Sequence, residues 1–238
     1  IFRNPEAIFR YFEKTNGTSP FDITLSNEGD DFAVMGMHFK LGLYEHQSAG
    51  ALEGLQKMVY ETKFAAEHSI NDIENINIVA YEPAFGIIGD PAKKTPSTRQ
   101  SADHSMVYIV STILRKAFET RDLLSKLQGF KNLDGVWKML MLEPKDYGHQ
   151  ALFNKQTRDL MAKCTFTHGG PEYDAKYPEG IPTSISVTLK GGKKYDSGFV
   201  MFPSGHSRNN TANLREILDY KNNLLGKLAL SESELSEK

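Results

Sequence analysis

Two extended runs, Ser184–Leu189 and Tyr195–Phe202, are joined through Gly191-Gly192, and this pairing restricts the chain more than any other local pattern. Both runs hold β-branched and aromatic residues, and the glycines supply the backbone freedom of a hairpin turn. The chain therefore contains a sheet. Ile73–Tyr81 has the same strand character, and Thr165–Gly170 and Tyr177–Pro182 read as strand and loop. Alternation over Phe32–Lys40 predicts a strand delivering Lys40 at its end.

Helical spacing separates these runs. Pro5 opens a short helix over residues 5–14, stopped by Asn16–Pro20. A second helix, with His46 at its N-terminus, runs through Leu52, Leu55, Met58, Val59 and Phe64, and a charged segment, Arg121–Gln128, and Thr157–Lys163 follow further on. Thr211 is expected to cap a last helix with Leu214, Ile217, Leu218, Leu225 and Leu228 on one side. Trp137–Leu142 is apolar and fits neither period. Glu82–Ser97, rich in Gly, Pro and Lys, predicts a long functional loop, and Ser231–Lys238 a frayed tail. Without regular βαβ alternation the expected class is α+β with helical ends. Asn27–Asp31 is turn-rich and marks an expected domain boundary.

Composition narrows the function. The 238 residues are 39% hydrophobic and 24% charged, with 28 basic and 30 acidic residues and a net charge of −2, which suits a globular core and disfavours a polyanion-binding surface. Nucleic acid is not an expected partner. No apolar run approaches membrane-spanning length, so no membrane association is expected either. The single cysteine, Cys164, excludes an intrachain disulfide and cannot alone hold an iron–sulfur cluster; in an apolar helix it is expected to pack. The seven histidines are scattered without zinc-motif spacing, and no glycine-rich phosphate loop follows a strand, so neither metal nor cofactor is expected. The chain starts at Ile1 without Met or signal-peptide layout and is expected to be a piece of a longer protein.

Ionisable groups concentrate in Thr98–Val110. Ser101 or Asp103 can cap a helix over 101–118, with Met106, Ile109, Val110, Ile113, Leu114 and Ala117 as its apolar stripe. His104, Tyr108 and Ser111 then share another face, near the end where free N–H groups favour an anion, a plausible seat for a carboxylate. A His and a Tyr four apart are more often a packed, hydrogen-bonded pair than catalysts. Further donors stand at other element ends: Lys40 and His46, Arg99, and His206 with Arg208. Convergence of these ends would make a pocket for a polycarboxylate.

Thr98–Tyr108, Met139–Gly148, His168–Asp174, Tyr177–Thr183 and Asp196–Asn209 together resemble the MmgE/PrpD family, over nearly the whole chain but only about half of a family member. The resemblance implies an all-helical domain, largely outside this chain, and a two-layer α+β lid: residues 1–30 would end the helical domain, 31–203 form the lid, and 204–238 return a helix. It also implies a homodimer and the dehydration of 2-methylcitrate to 2-methylaconitate in the methylcitrate cycle of propionate breakdown, without an iron–sulfur cluster. The compartment would be the mitochondrial matrix, or the bacterial cytoplasm. A cis-aconitate decarboxylase shares the family, and its Lys, His and Tyr correspond to Lys40, His46 and Tyr108. Tyr108, His46, Lys40 and His104 are thus the expected catalytic residues, with Arg99, Ser101, His206 and Arg208 expected to hold a tricarboxylate. A non-catalytic lid or dimerisation piece is the expectation from another class.

Overall fold

The computed structural model describes residues 36–231. The expected helix at 5–14, the turn at 27–31, residues 32–35 of the expected 32–40 strand and the last seven residues lie outside them, and the described residues 36–40 are not a strand. The chain divides into two units, Ile1–Met37 and His38–Lys238. Residues 204–231 belong to the second unit.

Four strands, β1 (Ile73–Ala80), β2 (Cys164–His168), β3 (Thr183–Leu189) and β4 (Lys194–Asp196), form one mixed sheet in the order β2-β1-β3-β4. β1 runs parallel to β2 and antiparallel to β3. The hairpin of β3 and β4 is as expected, with Gly191 and Gly192 at φ +92° and +88°, although its second strand is shorter than the sequence suggests. Alternation gives the sheet two unlike faces. Ile76, Ile78, Phe166, Ile185 and Val187 point to the core; Asn75, Asn77, Thr165, Thr167, Ser184 and Ser186 form a polar face, where Asn77 Oδ1 accepts from both threonine hydroxyls at 2.9 and 3.1 Å.

Eleven α-helices complete the described residues, an α+β fold. α1 (Ala49–Thr62) ends where Lys63 adopts a left-handed conformation, leaving Phe64–Glu67 as the separate turn α2. It lies so close on β3 that a Cβ at Gly50 or Gly54 would come within 2.6 Å of Thr183 or 2.9 Å of Ile185. The expected loop after β1 contains α3 (Glu82–Ile88) and a 3₁₀ turn, Pro91–Lys93.

The expected helix over 101–118 is two helices. Thr98 and Ser101 form a capping box that starts α4 (Arg99–Asp103), and Ser105 caps α5 (Met106–Glu119), so neither Ser101 nor Asp103 opens the long helix. Helices α6 (Leu123–Gly129), α7 (Asp134–Leu140), α8 (His149–Leu152) and α9 (Lys155–Met161) follow, α7 absorbing much of the unassigned apolar run. α5 is buried nearly all round, wedged among α1, α7 and α9, and its Ile109, Ile113 and Leu114 reach the centre of the core. After β2 and the short α10 (Pro171–Asp174) and the hairpin comes α11 (Leu214–Gly226), capped by Asn213 rather than Thr211. It docks on α7 through the buried Ile217 and a Lys138–Glu216 ion pair, while Leu228 stays exposed.

Candidate functional site

Residues 38–48 set the site. Instead of ending a strand, Lys40 leads into a bend in which the Leu41 N–H donates to the Tyr44 hydroxyl at 2.9 Å and the Leu43 N–H to the Leu142 carbonyl at 3.1 Å. Glu45 then caps the 3₁₀ turn His46–Ser48 by accepting from the Gln47 N–H at 2.8 Å, and its own N–H donates to the Asp103 carbonyl at 2.9 Å. That last bond ties the bend to the C-terminal end of α4. Lys40 is thereby brought from a distant part of the sequence to Arg99 and His104, at one hollow of about 120 Å³ walled also by Glu45, Asp103 and Tyr147.

The hollow is not uniformly cationic. His104 Nδ1 is paired with the Asp103 carboxylate. Burial pushes the Glu45 carboxyl above its usual range, against the pull of the Gln47 N–H, His104, Lys40 and Lys93. Tyr147 donates to the Leu43 carbonyl, and burial followed by neighbouring negative groups raises its phenol further. Its segment is clamped beneath by Lys116 Nζ, which reaches Asp146 Oδ2 and the Met141 carbonyl, each at 2.7 Å. Glu45, Asp103 and Tyr147 were not singled out as site residues from sequence. Nothing local marks them; they become neighbours only because the bend at 41–45 folds onto α4.

Tyr108 lies elsewhere. It is fully buried, its hydroxyl donating to the Asp146 carbonyl at 2.6 Å, with its ring 5.8 Å behind that of Tyr147. The face of α5 that was expected to meet an anion is covered: Ser111, Thr112 and Arg115 on it are buried, and Arg115 Nε donates to Thr157 of α9 at 2.9 Å. Tyr108 thus takes the packed alternative. Cys164, expected in a helix, opens β2, where burial raises its thiol to about 12.

The other expected residues disperse. Ser101 spends its hydroxyl on the Thr98 capping box. Arg208 pairs with Glu179 and lies 5.8 Å over the Phe202 ring, lining a separate groove of about 570 Å³ with Glu53 and Lys57. His46 and His206 gather with a residue the sequence did not mark, His38: His38 Nδ1 lies 3.3 Å from His46 Nε2, and the His38 and His206 rings are 3.7 Å apart. Among the described residues no group of three or more His, Cys, Asp or Glu is disposed to hold a metal ion, and no helix is long and apolar enough to cross a membrane.

No protein-family model and no curated protein matches this chain. The reading of the site therefore rests on its residues. Two cations and an imidazole–carboxylate pair at the rim of a small hollow can hold an anion with two or more carboxylates and exchange a proton with it.

Proposed function

We propose that the chain is the lid part of a hydro-lyase that removes water from 2-methylcitrate to give 2-methylaconitate in propionate breakdown, acting as a homodimer with an all-helical domain and needing no iron–sulfur cluster. The resemblance of Thr98–Tyr108, Met139–Gly148, His168–Asp174, Tyr177–Thr183 and Asp196–Asn209 to the MmgE/PrpD family supports this reading. The observation that carries it is the common hollow of Lys40, Arg99 and His104, three of the residues singled out for a tricarboxylate site.

Dehydration needs a base to take the proton beside a carboxylate, an acid for the departing hydroxyl, and positive charge where negative charge develops. Lys40 and Arg99 receive carboxylates through charge-assisted bonds, and the His104–Asp103 pair, with the imidazole oriented by the carboxylate, moves the proton. Tyr108 has no part in the chemistry, since its hydroxyl is committed to Asp146. The hollow itself is small, so in this reading the lid supplies one wall of the full site.

Calorimetric titration with 2-methylcitrate and citrate tests the reading. Tricarboxylate binds, and Lys40→Met or Arg99→Gln weakens binding at least tenfold, the worth of one hydrogen bond to a charged group at about 1.5–3 kcal/mol. Arg208→Gln leaves it unchanged. Absence of binding, or binding indifferent to both substitutions in the hollow, overturns the proposal. In the full-length protein, unsaturated product seen by absorbance supports dehydration, and released carbon dioxide instead would assign the chain to a decarboxylase.

A further inference from the structure

We infer that His38, His46 and His206 form a proton-operated clasp, closed while the three rings are neutral and opened by proton uptake, which frees residues 38–40 from the turn at 203–209.

The three rings arrive from separate places: His38 from the approach to the bend, His46 from the turn that starts α1, and His206 from the turn after the hairpin. His38 bridges the other two, with its Nδ1 3.3 Å from His46 Nε2 and its ring 3.7 Å from that of His206. Next to it, the Phe39 N–H donates to the Gly205 carbonyl at 2.8 Å. The backbones approach so closely there that a Cβ on Gly205, at φ +98°, would lie 2.3 Å from the Phe39 carbonyl oxygen. The cluster and this one backbone bond thus hold residues 38–40 to the turn.

The closed cluster has little room for a proton. His206 is only 4% exposed; its Nδ1 accepts from the Arg208 N–H at 3.1 Å, so the neutral ring carries its hydrogen on Nε2, which has no hydrogen-bond partner. The charged groups around the cluster are mostly positive. Lys40 acts on His46, Arg208 acts on His206, and Lys221 donates to the Lys40 carbonyl at 2.7 Å. The Glu179 carboxylate is spent on Arg208, and only its carbonyl, outside hydrogen-bond geometry, favours a charged His206. Burial first and the neighbouring His38 second, then Lys40 at His46 and Arg208 at His206, hold His46 below the ordinary imidazole value and push His206 down to about 4; burial alone lowers His38. A group whose value is lower in the closed form binds its proton better once released. The clasp is therefore secure above the ordinary value and weakens as pH falls below it toward the closed-form value, its opening constant rising about tenfold per pH unit for one titrating ring.

Lys40, two residues beyond His38, moves with the segment, so anion binding in the hollow falls over the same window. That last link alone rests on the proposed function; the clasp stands without it.

Site-resolved amide exchange on the whole chain between pH 7 and 5, corrected for intrinsic rates, tests the clasp. Protection of the Phe39 amide falls about tenfold per pH unit once the pH is below the ordinary imidazole value of about 6.5, while the Ile76 amide, bonded to the Lys163 carbonyl at 3.0 Å, keeps its protection. Constant protection at Phe39, or a fall shared by Ile76, overturns the inference. His206→Gln flattens the Phe39 profile; if that variant does not fold, the proton resonances of the native imidazoles decide, since a His206 midpoint at the ordinary imidazole value also overturns it.

Discussion

The Tyr108 hydroxyl donates to the Asp146 carbonyl at 2.6 Å in the interior. Removing the hydroxyl leaves a buried carbonyl unpaired, which costs about 1–3 kcal/mol. Tyr108→Phe should therefore lower unfolding free energy by that amount in urea titrations and leave tricarboxylate affinity at the hollow unchanged. Lost affinity without lost stability would return Tyr108 to the site. Its helical spacing from His104 was visible in sequence, but spacing does not say whether a second face meets solvent or another helix. Here α9 covers it, and the break at His104-Ser105 turns His104 out to the surface, more than half exposed on its side chain.

Among the elements, α1 and α11 show opposite ways of joining the core. α1 comes close to β3 because Gly50 and Gly54, one turn apart, leave no side chain between helix and strand. Alanine is the better helix former by about 1 kcal/mol. At position 54, however, its Cβ would sit 2.9 Å from both Ile185 Cγ2 and the Ser197 side chain. Overpacking of that kind costs about 1–3 kcal/mol. Gly54→Ala should accordingly destabilise the protein in denaturant, and a gain in stability would show that the helix can back away from the sheet. α11 instead inserts one residue, Ile217, which is fully buried while most of the helix is wet. Ile217→Ala should cost about 2–5 kcal/mol as a cavity-forming change. Thermal unfolding with no change in midpoint would mean that this helix is only loosely held by α7. The apolar side of α11 was legible from its spacing, whereas its partner was not.

For the whole molecule, Glu53 is the group that joins most parts. From α1 it accepts the Trp137 indole N–H of α7 at 2.7 Å and both the N–H and hydroxyl of Ser204 at 3.1 Å. Burial raises its carboxyl, with the Asp134 charge adding to the effect, despite these donors. A carboxyl raised in the folded state stabilises at low pH and loses that contribution as pH climbs through its folded value. The lowered histidines act oppositely, their contribution being present above the ordinary imidazole value and lost on acidification. Between these ranges the two effects offset each other. Glu53→Gln removes one side of the balance, so its unfolding free energy should fall more steeply than the native protein's as pH drops from about 6.5 towards 4.5. Parallel pH profiles, measured by urea titration at each pH, would show that Glu53 titrates normally.

By itself the sequence determined the hairpin, β1, the helical character of most of the remaining segments and the α+β class. Each depends on periodicity and turn residues within a few positions. Tertiary structure alone decided which faces were covered and which ends met. It gathered Lys40, Arg99 and His104 by one backbone bond between Glu45 and Asp103, drew His46 and His206 away to His38, and closed Tyr108 in. These outcomes depend on packing between residues far apart along the chain, where burial and pairing outweigh what any local pattern encodes.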